Sequence, residues 1–282
     1  MGIVSGGSVG SSSSGDSDVA GIDGWAAPFY KVGSAAEAAG QYYCYAKDAG
    51  MPGAWAPGTP GLTGRATDGT AAGDAGCLNF KNPASGSNYV TNFVAASNVA
   101  QLHFLIDILW VNSGTVVSTL GEQAINSVAF PARDANGSTN GEGVEVGILV
   151  TASSTNVGVI TNTTLRYTNS ANVDTRTATI AAYPATAIIG TLVPFQLAAG
   201  DKGVRSIQGV TLGTSYGGGS ISLIAFRRIA FAPSPIVNVG GLIPNSSKTG
   251  VKVYNGSCLI PAYLATATTA TTTHGIVVIE ER

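Results

Sequence analysis

The stretch HFLIDILWV, His103–Val111, decides the fold class of this chain. One face carries Phe104, Ile106, Ile108 and Trp110, and the other carries His103, Asp107 and Leu109. Side chains that alternate with a period of two predict a β-strand with one buried face. We therefore expect a strand here, with the aromatic and isoleucine side chains directed into a core.

Similar alternation recurs along the chain. GVEVGILV (143–150) and TTLRYT (163–168) show it most clearly. Shorter candidate strands are Arg176–Ala182, Ser206–Leu212, Ile221–Arg227, Val251–Tyr254 and Ile276–Ile279. Many short strands without intervening helices predict a mainly β fold, namely an antiparallel β-sandwich or a jelly-roll-like arrangement.

One short helix is predicted near the N-terminus, over residues 33–47. Ser34 and Glu37 fit a capping box, and four alanines around them favour helix. We divide the chain into a Gly/Ser-rich arm (1–30), a loop-rich region with this helix (31–100), a β-sandwich core (101–232) and C-terminal strands or an arm that completes the same domain (233–282). Residues 265–273 are Thr-rich and fit either a strand with hydroxyls in water or an exposed arm.

Composition and charge exclude several classes of function. Charged residues make up 11% of the 282 residues, and 14 Lys and Arg against 16 Asp and Glu give a net charge of −2. Nucleic-acid binding usually needs a basic surface, so no nucleic-acid partner is expected. The uncharged stretch 177–200 is interrupted by Pro184 and Pro194 and predicts two buried strands, not a membrane span. The first residues lack a basic, then apolar, leader pattern, so we expect synthesis in a cytoplasm.

Cysteines and histidines give no metal or cofactor site. Cys44, Cys77 and Cys258 are widely spaced and form no C-x-x-C pair, which leaves buried thiols or one disulfide open. His103 and His274 are the two histidines, and neither has an acid at ligand spacing. His103 is interpreted as a structural residue. We expect no cofactor and no catalytic residues.

A G-x-S-x-G match occurs at residues 213–217, around Ser215. In α/β-hydrolases this motif connects a strand to a helix, and the acid and the histidine follow in that order. Here more glycines follow, and no Asp occurs after Ser215. The motif is interpreted as a Gly-rich hairpin loop, and the chain is not expected to be an enzyme.

The polar stretch Asp134–Glu145 resembles a calcium loop in the spacing of its oxygen-bearing side chains. Thr139 stands where the sharp turn requires glycine, and no helix is predicted on either side. A polar turn between strands explains the same composition. Calcium binding stays open on the sequence, with the turn favoured.

Three charged residues lie next to apolar strand positions. Asp107 needs a partner because a lone buried carboxylate is costly, and Arg133 is a candidate. Arg227 and Arg228 follow an apolar strand, where they either guard an edge or meet an acidic neighbour.

Several long motifs over residues 51–228 resemble a poorly characterised family of tailed-bacteriophage and prophage virion structural proteins. They are MPGAWAPGTPGLTGRATDG (51–69), NPASGSNYVTNF (82–93), LIDILWVNSGTVV (105–117), INSVAFPARDANGSTNGEGVEVGI (125–148), TLRYTNSANVDTRTATI (164–180) and GTLVPFQLAAGDKGVRSIQGVTLGTS (190–215). This resemblance implies a structural part of a virus particle, with no catalytic residues to transfer.

On that basis we expect a virion protein, assembled in the host cytoplasm, that acts as a capsid decoration or cement protein on the head. Its expected partners are the major capsid protein, other virion proteins and copies of itself, without nucleic acid or membrane. The alternatives are a neck, collar or tail accessory protein and a host-surface-binding fibre module. Small neutral side chains suit close subunit packing, and repeated contacts gain strength through multivalency.

Overall fold

The computed structural model describes residues 24–34, 37–70, 74–83, 85–242 and 250–282. These residues contain no α-helix; a single-turn 3-10 helix spans Tyr45–Lys47. Among them, no helix has the length and apolarity needed to cross a membrane. The mainly β prediction is confirmed. Of the arm expected over residues 1–30, the described part is 24–30, which belongs to the first strand.

The strands in chain order are β1 (Gly24–Val32), β2 (Tyr42–Cys44), β3 (Ala49–Met51), β4 (Arg65–Ala66), β5 (Asn88–Ser97), β6 (Gln101–Val111), β7 (Glu122–Ala124), β8 (Glu145–Ala152), β9 (Thr164–Asn169), β10 (Arg176–Ile180), β11 (Thr191–Gln196), β12 (Val204–Thr211), β13 (Ser220–Ser234), β14 (Gly241–Leu242), β15 (Val251–Val253), β16 (Cys258–Leu264) and β17 (Thr272–Glu281). The stretch 177–200 holds most of β10 and all of β11, so two strands are present as predicted. β11 is largely buried, but in β10 only Ala178 and Ile180 are buried. Residues 265–271 connect β16 to β17.

Six of these strands close into a barrel. The pairings run β2–β16–β6–β13–β8–β11, and β11 returns to pair with β2. Every pairing in this ring is antiparallel, as predicted. The predicted sandwich or jelly roll is not confirmed, because the pairing of Thr191 and Leu192 with Tyr43 and Tyr42 joins the two ends of the sheet.

Apolar side chains from all six ring strands fill the lumen of the barrel. They include Cys44, Ile106, Ile108, Leu149, Leu192, Ile224, Phe226, Cys258, Ile260 and Ala262. A barrel this small is filled by its own side chains and leaves no channel. Gly147 shows how tight the lumen is, because a Cβ there would lie 2.9 Å from Cδ1 of Leu192 and 3.3 Å from a ring carbon of Phe226.

Further layers cover the barrel on the outside. A six-stranded sheet contains β14, β5, β17, β1, β3 and β15. Its Phe93 and Val277 share a buried cluster with Leu105, Ile229 and Leu259 of the barrel. On another side, β9, β10 and β12 extend the ring sheet and fold over it. The barrel is therefore the middle layer of the molecule.

This layering corrects one expectation about His103–Val111. The alternation predicted one buried face, but His103, Asp107 and Leu109 on the second face are all fully buried. The stretch makes up most of β6, and β6 has the lumen on one side and an outer layer on the other. A barrel strand covered on both faces buries polar as well as apolar positions, and each polar group then needs a partner.

The helix predicted over residues 33–47 is wrong for the described part of that range. Tyr42–Cys44 form β2, the strand that closes the barrel. Glu37 does not cap a helix: its carboxylate accepts hydrogen bonds from the amide of Thr271 (2.9 Å) and the hydroxyl of Tyr263 (2.7 Å). Contacts with distant residues therefore outweigh the helix propensity of the local sequence.

Candidate functional site

One end of the barrel exposes an apolar patch, where ring strands continue past the filled lumen. On this stretch Phe231 lies opposite Phe104, and Pro233 lies opposite Leu102. Leu264 continues the second row on β16. Directly opposed residues of antiparallel strands point to the same face, so these side chains share the face that fills the lumen further along. We call this group the rim patch: Tyr42, Leu102, Phe104, Phe231, Pro233 and Leu264.

The rim patch is open to solvent. Phe231 is 52% exposed, and the other five residues are half-buried. The rings of Tyr42 and Phe104 lie 5.7 Å apart at their centroids. Apolar side chains grouped at one open barrel end are therefore a candidate site of contact with another molecule.

Arg228 lies beside the two aromatic rings of this patch. Its guanidinium is 5.6 Å from the ring centroid of Tyr42 and 5.3 Å from that of Phe104. The same group makes a bidentate ion pair with Glu145, with Nε–Oε1 at 2.8 Å and Nη2–Oε2 at 3.0 Å. The pair fixes the guanidinium against the rings. Tyrosine and arginine are among the residue types that contribute most to protein–protein binding energy.

The space beneath the rim patch is too small for a ligand. The cavity there has a volume of about 10 Å³ and is lined by residues that include Ile106, Leu192 and Ala262. That volume accommodates about one water molecule. The barrel end therefore offers a surface for contact and not a binding pocket.

A second apolar feature follows β13 directly. In the turn Ile236–Val239, the side chains of Ile236, Val237 and Val239 are exposed by 62%, 49% and 48%. Turns usually carry polar residues, so this composition is unusual. The turn is held by hydrogen bonds from the amide of Val239 to the carbonyl of Ile236 (3.0 Å) and from the hydroxyl of the buried Ser234 to the carbonyl of Val239 (3.0 Å). We call it the apolar turn.

The predicted partner of Asp107 is confirmed. Nη2 of Arg133 lies 3.6 Å from Oδ1 of Asp107, and both side chains are buried. Asp107 also accepts hydrogen bonds from the hydroxyl of Ser257 (2.7 Å) and the amide of Cys258 (2.9 Å). Arg133 donates to the carbonyl of Ile108 at 2.9 Å. This buried pair joins β6 to its neighbouring loops and is structural.

The loop at Asp134 forms a polar turn, as the favoured interpretation had it. The carboxylate of Asp134 accepts hydrogen bonds from the amides of Asn136 (2.9 Å), Ser138 (2.7 Å), Gly141 (3.0 Å) and Glu142 (3.1 Å). The hydroxyl of Ser138 donates to the same carboxylate at 2.7 Å. These donors occupy the oxygen lone pairs that a calcium ion would need.

Ser215 has no catalytic surroundings in the described structure. Its hydroxyl accepts a hydrogen bond from the amide of Gly217 at 3.1 Å and faces the carbonyl of Val117 at 3.5 Å. The loop connects β12 to β13, as a strand-to-strand connection and not a strand-to-helix elbow. These two strands do not pair with each other, so the predicted hairpin is wrong, although the predicted loop is present.

The remaining sequence candidates occupy structural positions. Cys77 and Cys258 form a disulfide with Cα atoms 5.2 Å apart, and Cys44 is a buried free thiol. Burial lowers the pKa of His103 to about 4, and its Nε2 lies 3.3 Å from the hydroxyl of Ser97. Within the described residues, no group of three or more His, Cys, Asp or Glu side chains could hold a metal ion.

The two arginines of β13 differ from each other. Arg228 meets an acidic neighbour, which was one of the two expectations. Arg227 is buried and donates to the carbonyl of Lys252 at 2.9 Å, and its guanidinium lies 5.3 Å from the ring centroid of Tyr254. Both residues pair with β6, and the pairing of β13 with β8 ends at Phe226, one residue before Arg227.

Sequence reasoning missed both apolar surfaces. The rim patch is assembled from strands far apart in the chain, so no local pattern indicates it. The apolar turn has a local signal, namely Ile236, Val237 and Val239 at positions where turns favour polar residues.

No protein-family model matches the chain, and no curated protein matches it. A solved structure, the crystal structure of the infectious bursal disease virus VP2 subviral particle, is similar at 10% sequence identity and a TM-score of 0.18, over 92% of this chain and 80% of that chain. A TM-score of this size does not indicate a shared fold, so function is inferred from the chain's own residues.

Proposed function

We propose that this chain is a structural protein of a bacteriophage virion, and that it decorates the head by binding the major capsid lattice and cementing it. In this role it catalyses no reaction and needs no cofactor. Its partners are the major capsid protein or other virion proteins, and further copies of itself. Its place is the assembled virion.

The observation that carries the proposal is the exposed rim patch on a closed barrel. Tyr42 and Phe104 pack in part against the lumen residues, whereas Phe231 on the same face stays 52% exposed within the described chain. Exposed apolar surface costs solubility unless a partner covers it. Arg228, whose guanidinium lies 5.6 Å from the ring centroid of Tyr42 and 5.3 Å from that of Phe104, places a charged group of a residue type that is frequent at binding hot spots beside the patch.

The composition of the chain and the resemblance of residues 51–228 to phage virion proteins support the same role. Charged residues are few, so close neutral packing between subunits carries little desolvation cost. The motifs over residues 51–228 resemble virion proteins. A lattice also multiplies each weak contact through multivalency.

The location is tested by imaging purified virions labelled with antibody against this chain. We expect label over the whole head, at a copy number comparable to that of the major capsid protein. Label confined to one vertex or to the tail, at a far lower copy number, would replace cementing with a neck, collar or tail role. Absence of the chain from mature virions would end the proposal.

The contact surface is tested by adding purified protein to capsids that lack it. Phe231→Ser should abolish or strongly weaken binding, because it removes the most exposed ring of the rim patch. Val157→Ser is the matched control: Val157 is 98% exposed and lies in the loop after β8, outside the rim patch. Equal binding by both variants would show that the rim patch is not the contact surface.

The aromatic character of the rim patch also favours a second candidate, a host-surface-binding fibre module. Aromatic rings with an arginine between them suit stacking against sugars or exposed protein side chains. In that case, the purified protein binds host cells, and Phe231→Ser loses cell binding while capsid assembly is unchanged.

A further inference from the structure

An open pocket with a volume of about 360 Å³ lies where β5 begins, at the end of that strand remote from the rim patch. Three segments form its walls: residues 86–88, residues 131–133, and residues 252–255 at the end of β15. Small-molecule sites in proteins usually have volumes of roughly 300–1,000 Å³. The pocket is therefore large enough for one small ligand, unlike the space beneath the rim patch.

The charged side chains that line this pocket are both positive. They are Arg133 and Lys252, and no acidic side chain of the described residues lines it. Arg133 is paired with the buried Asp107, at 3.6 Å. Lys252 takes part in none of the ion pairs within the described residues. An anionic ligand would supply the partner that the ammonium of Lys252 lacks.

A second cation outside any ion pair of the described chain contacts the same wall. Arg227 is 6% exposed, and its Nη2 donates to the carbonyl of Lys252 at 2.9 Å, while its Nε has no hydrogen-bond partner among the described residues. Burial lowers the pKa of Arg227, and the charge of Asp107 acts in the opposite direction. A buried charge without a close counter-charge is costly, and an anion in the pocket would offset part of that cost.

Neutral hydrogen-bonding residues complete the walls. Ser87 and Asn255 line the pocket, and their side chains form no hydrogen bond within the described part of the chain. Asn88, 1% exposed, donates from its amide nitrogen to the carbonyl of Lys81 at 2.8 Å, which leaves its Oδ1 without a partner there. Hydroxyl and amide side chains both donate and accept, which is the combination that ligand hydroxyl groups need.

Tyr254 adds an apolar surface to this polar wall. The residue is half-buried, and its ring centroid lies 5.3 Å from Nζ of Lys252 and 5.3 Å from Cζ of Arg227. Cation–π attraction at this range keeps both cations near the ring. The aromatic ring and the cations together suit a ligand whose C–H groups lie next to a negative charge.

We propose that this pocket binds a sugar acid, a small ligand that carries one carboxylate and several hydroxyl groups on a sugar ring. The carboxylate pairs with the ammonium of Lys252, the hydroxyls bond to Ser87 and Asn255, and C–H groups of the ring contact Tyr254. This inference concerns a site apart from the rim patch and does not depend on the proposed function.

The whole wall favours a sugar acid over simpler ligands. A plain carboxylate would use Lys252 but leave the neutral hydrogen-bonding side chains unused. A neutral sugar would use those side chains but leave Lys252 and Arg227 without a counter-charge. Both parts of the wall are engaged only when carboxylate and hydroxyl groups belong to one ligand.

The test is calorimetric titration of the purified full chain with matched probes. Methyl glucuronide and methyl galacturonide carry the carboxylate and the hydroxyls, methyl glucoside and methyl galactoside lack the carboxylate, and acetate lacks the hydroxyls. At least one uronide should bind about tenfold or more tightly than its neutral glycoside and than acetate. Acetate or a neutral glycoside that binds as tightly as the uronides overturns the proposal, and so does the absence of uronide binding at millimolar concentrations.

Two variants locate the binding. Lys252→Met removes the charge and keeps most of the side-chain length, and it should weaken uronide binding about tenfold or more. Lys202→Met is the matched control, because Lys202 is exposed in the loop before β12 and lies outside the pocket; it should bind like the wild type. Equal binding by the two variants would place the ligand elsewhere and overturn the proposal. The probe comparison uses the wild type, so a variant that fails to fold does not weaken the test.

Discussion

Two phenylalanines on β13 have opposite surroundings. Phe226 is 1% exposed and fills the lumen, whereas Phe231 is 52% exposed on the rim patch. The strand register shifts between Arg228 and Ala230, and Phe231 still lies opposite Phe104. One strand therefore serves two purposes: within the ring its apolar residues stabilise the fold, and beyond the ring they are available to a partner. Substitutions at Phe226, His103, Arg228 and Phe231 test that division.

The largest effect is expected for Phe226→Ala. Removal of this ring from a filled lumen leaves a cavity, and the expected loss of unfolding free energy is about 3–5 kcal/mol. Urea denaturation measures it. Phe226→Leu, which keeps most of the volume, should cost clearly less. A loss below about 1 kcal/mol for the alanine variant would mean that the lumen can collapse around the gap.

The pH dependence of stability reports whether the face of β6 that carries His103, opposite to the rim patch, is packed in a core that excludes water. Burial lowers the pKa of His103 from the ordinary 6.5 to about 4. Between these values the unfolded chain binds a proton that the folded chain does not. The corresponding stability is fully present above pH 6.5 and is lost as the pH falls to about 4, by about 3 kcal/mol.

His103→Gln should flatten that acid dependence, as measured by urea midpoints at a series of pH values between neutrality and pH 4. His274→Gln is the control, since His274 is exposed on β17 and should leave the acid dependence as it is. If the control flattened the profile and His103→Gln did not, the histidine behind the rim patch would be solvated.

A smaller effect is expected at the ion pair of the rim patch. The side chains of Arg228 and Glu145 are 37% and 33% exposed, so solvent screens their interaction. The coupling energy from the variants Arg228→Gln and Glu145→Gln and their double mutant should be about 0–1 kcal/mol. A coupling of several kcal/mol would indicate that this pair is part of the core and not of the surface.

The smallest effect on stability is expected for Phe231→Ser. Its unfolding free energy should stay within about 0.5 kcal/mol of the wild type, because about half of the side chain is already exposed to solvent and no buried cluster includes it. The same variant is expected to lose capsid binding. A stability loss that approaches that of Phe226→Ala would place Phe231 in the core and remove the basis of the rim patch as a contact surface.

The strands were largely predictable, and the barrel was not. Alternation identified β6 and β8 because each has a strong local pattern. The helix expected over residues 33–47 was the decisive error, since β2 lies inside that range and closes the ring. Its pairing partners are at Tyr263 and Thr191, far along the chain, and a three-residue strand carries no period of its own.

The candidate site could be predicted only where chemistry is local. Asp107 needed a partner because a carboxylate in an apolar strand cannot stay alone, and Arg133 supplies it. The rim patch joins Tyr42, Phe104 and Phe231, and nothing near any of them reveals the other two.

The topology of the ring has a consequence for biogenesis. β2 comes from residues 42–44, whereas β16, its neighbour in the ring, comes from residues 258–264. A nascent chain on the ribosome therefore cannot complete the circle until residue 264 has been synthesised. Pairing over such a sequence distance is slow, and unpaired strand edges stay open to wrong partners in the meantime. Once the ring closes, these strand edges are paired within the chain and can no longer pair with other chains.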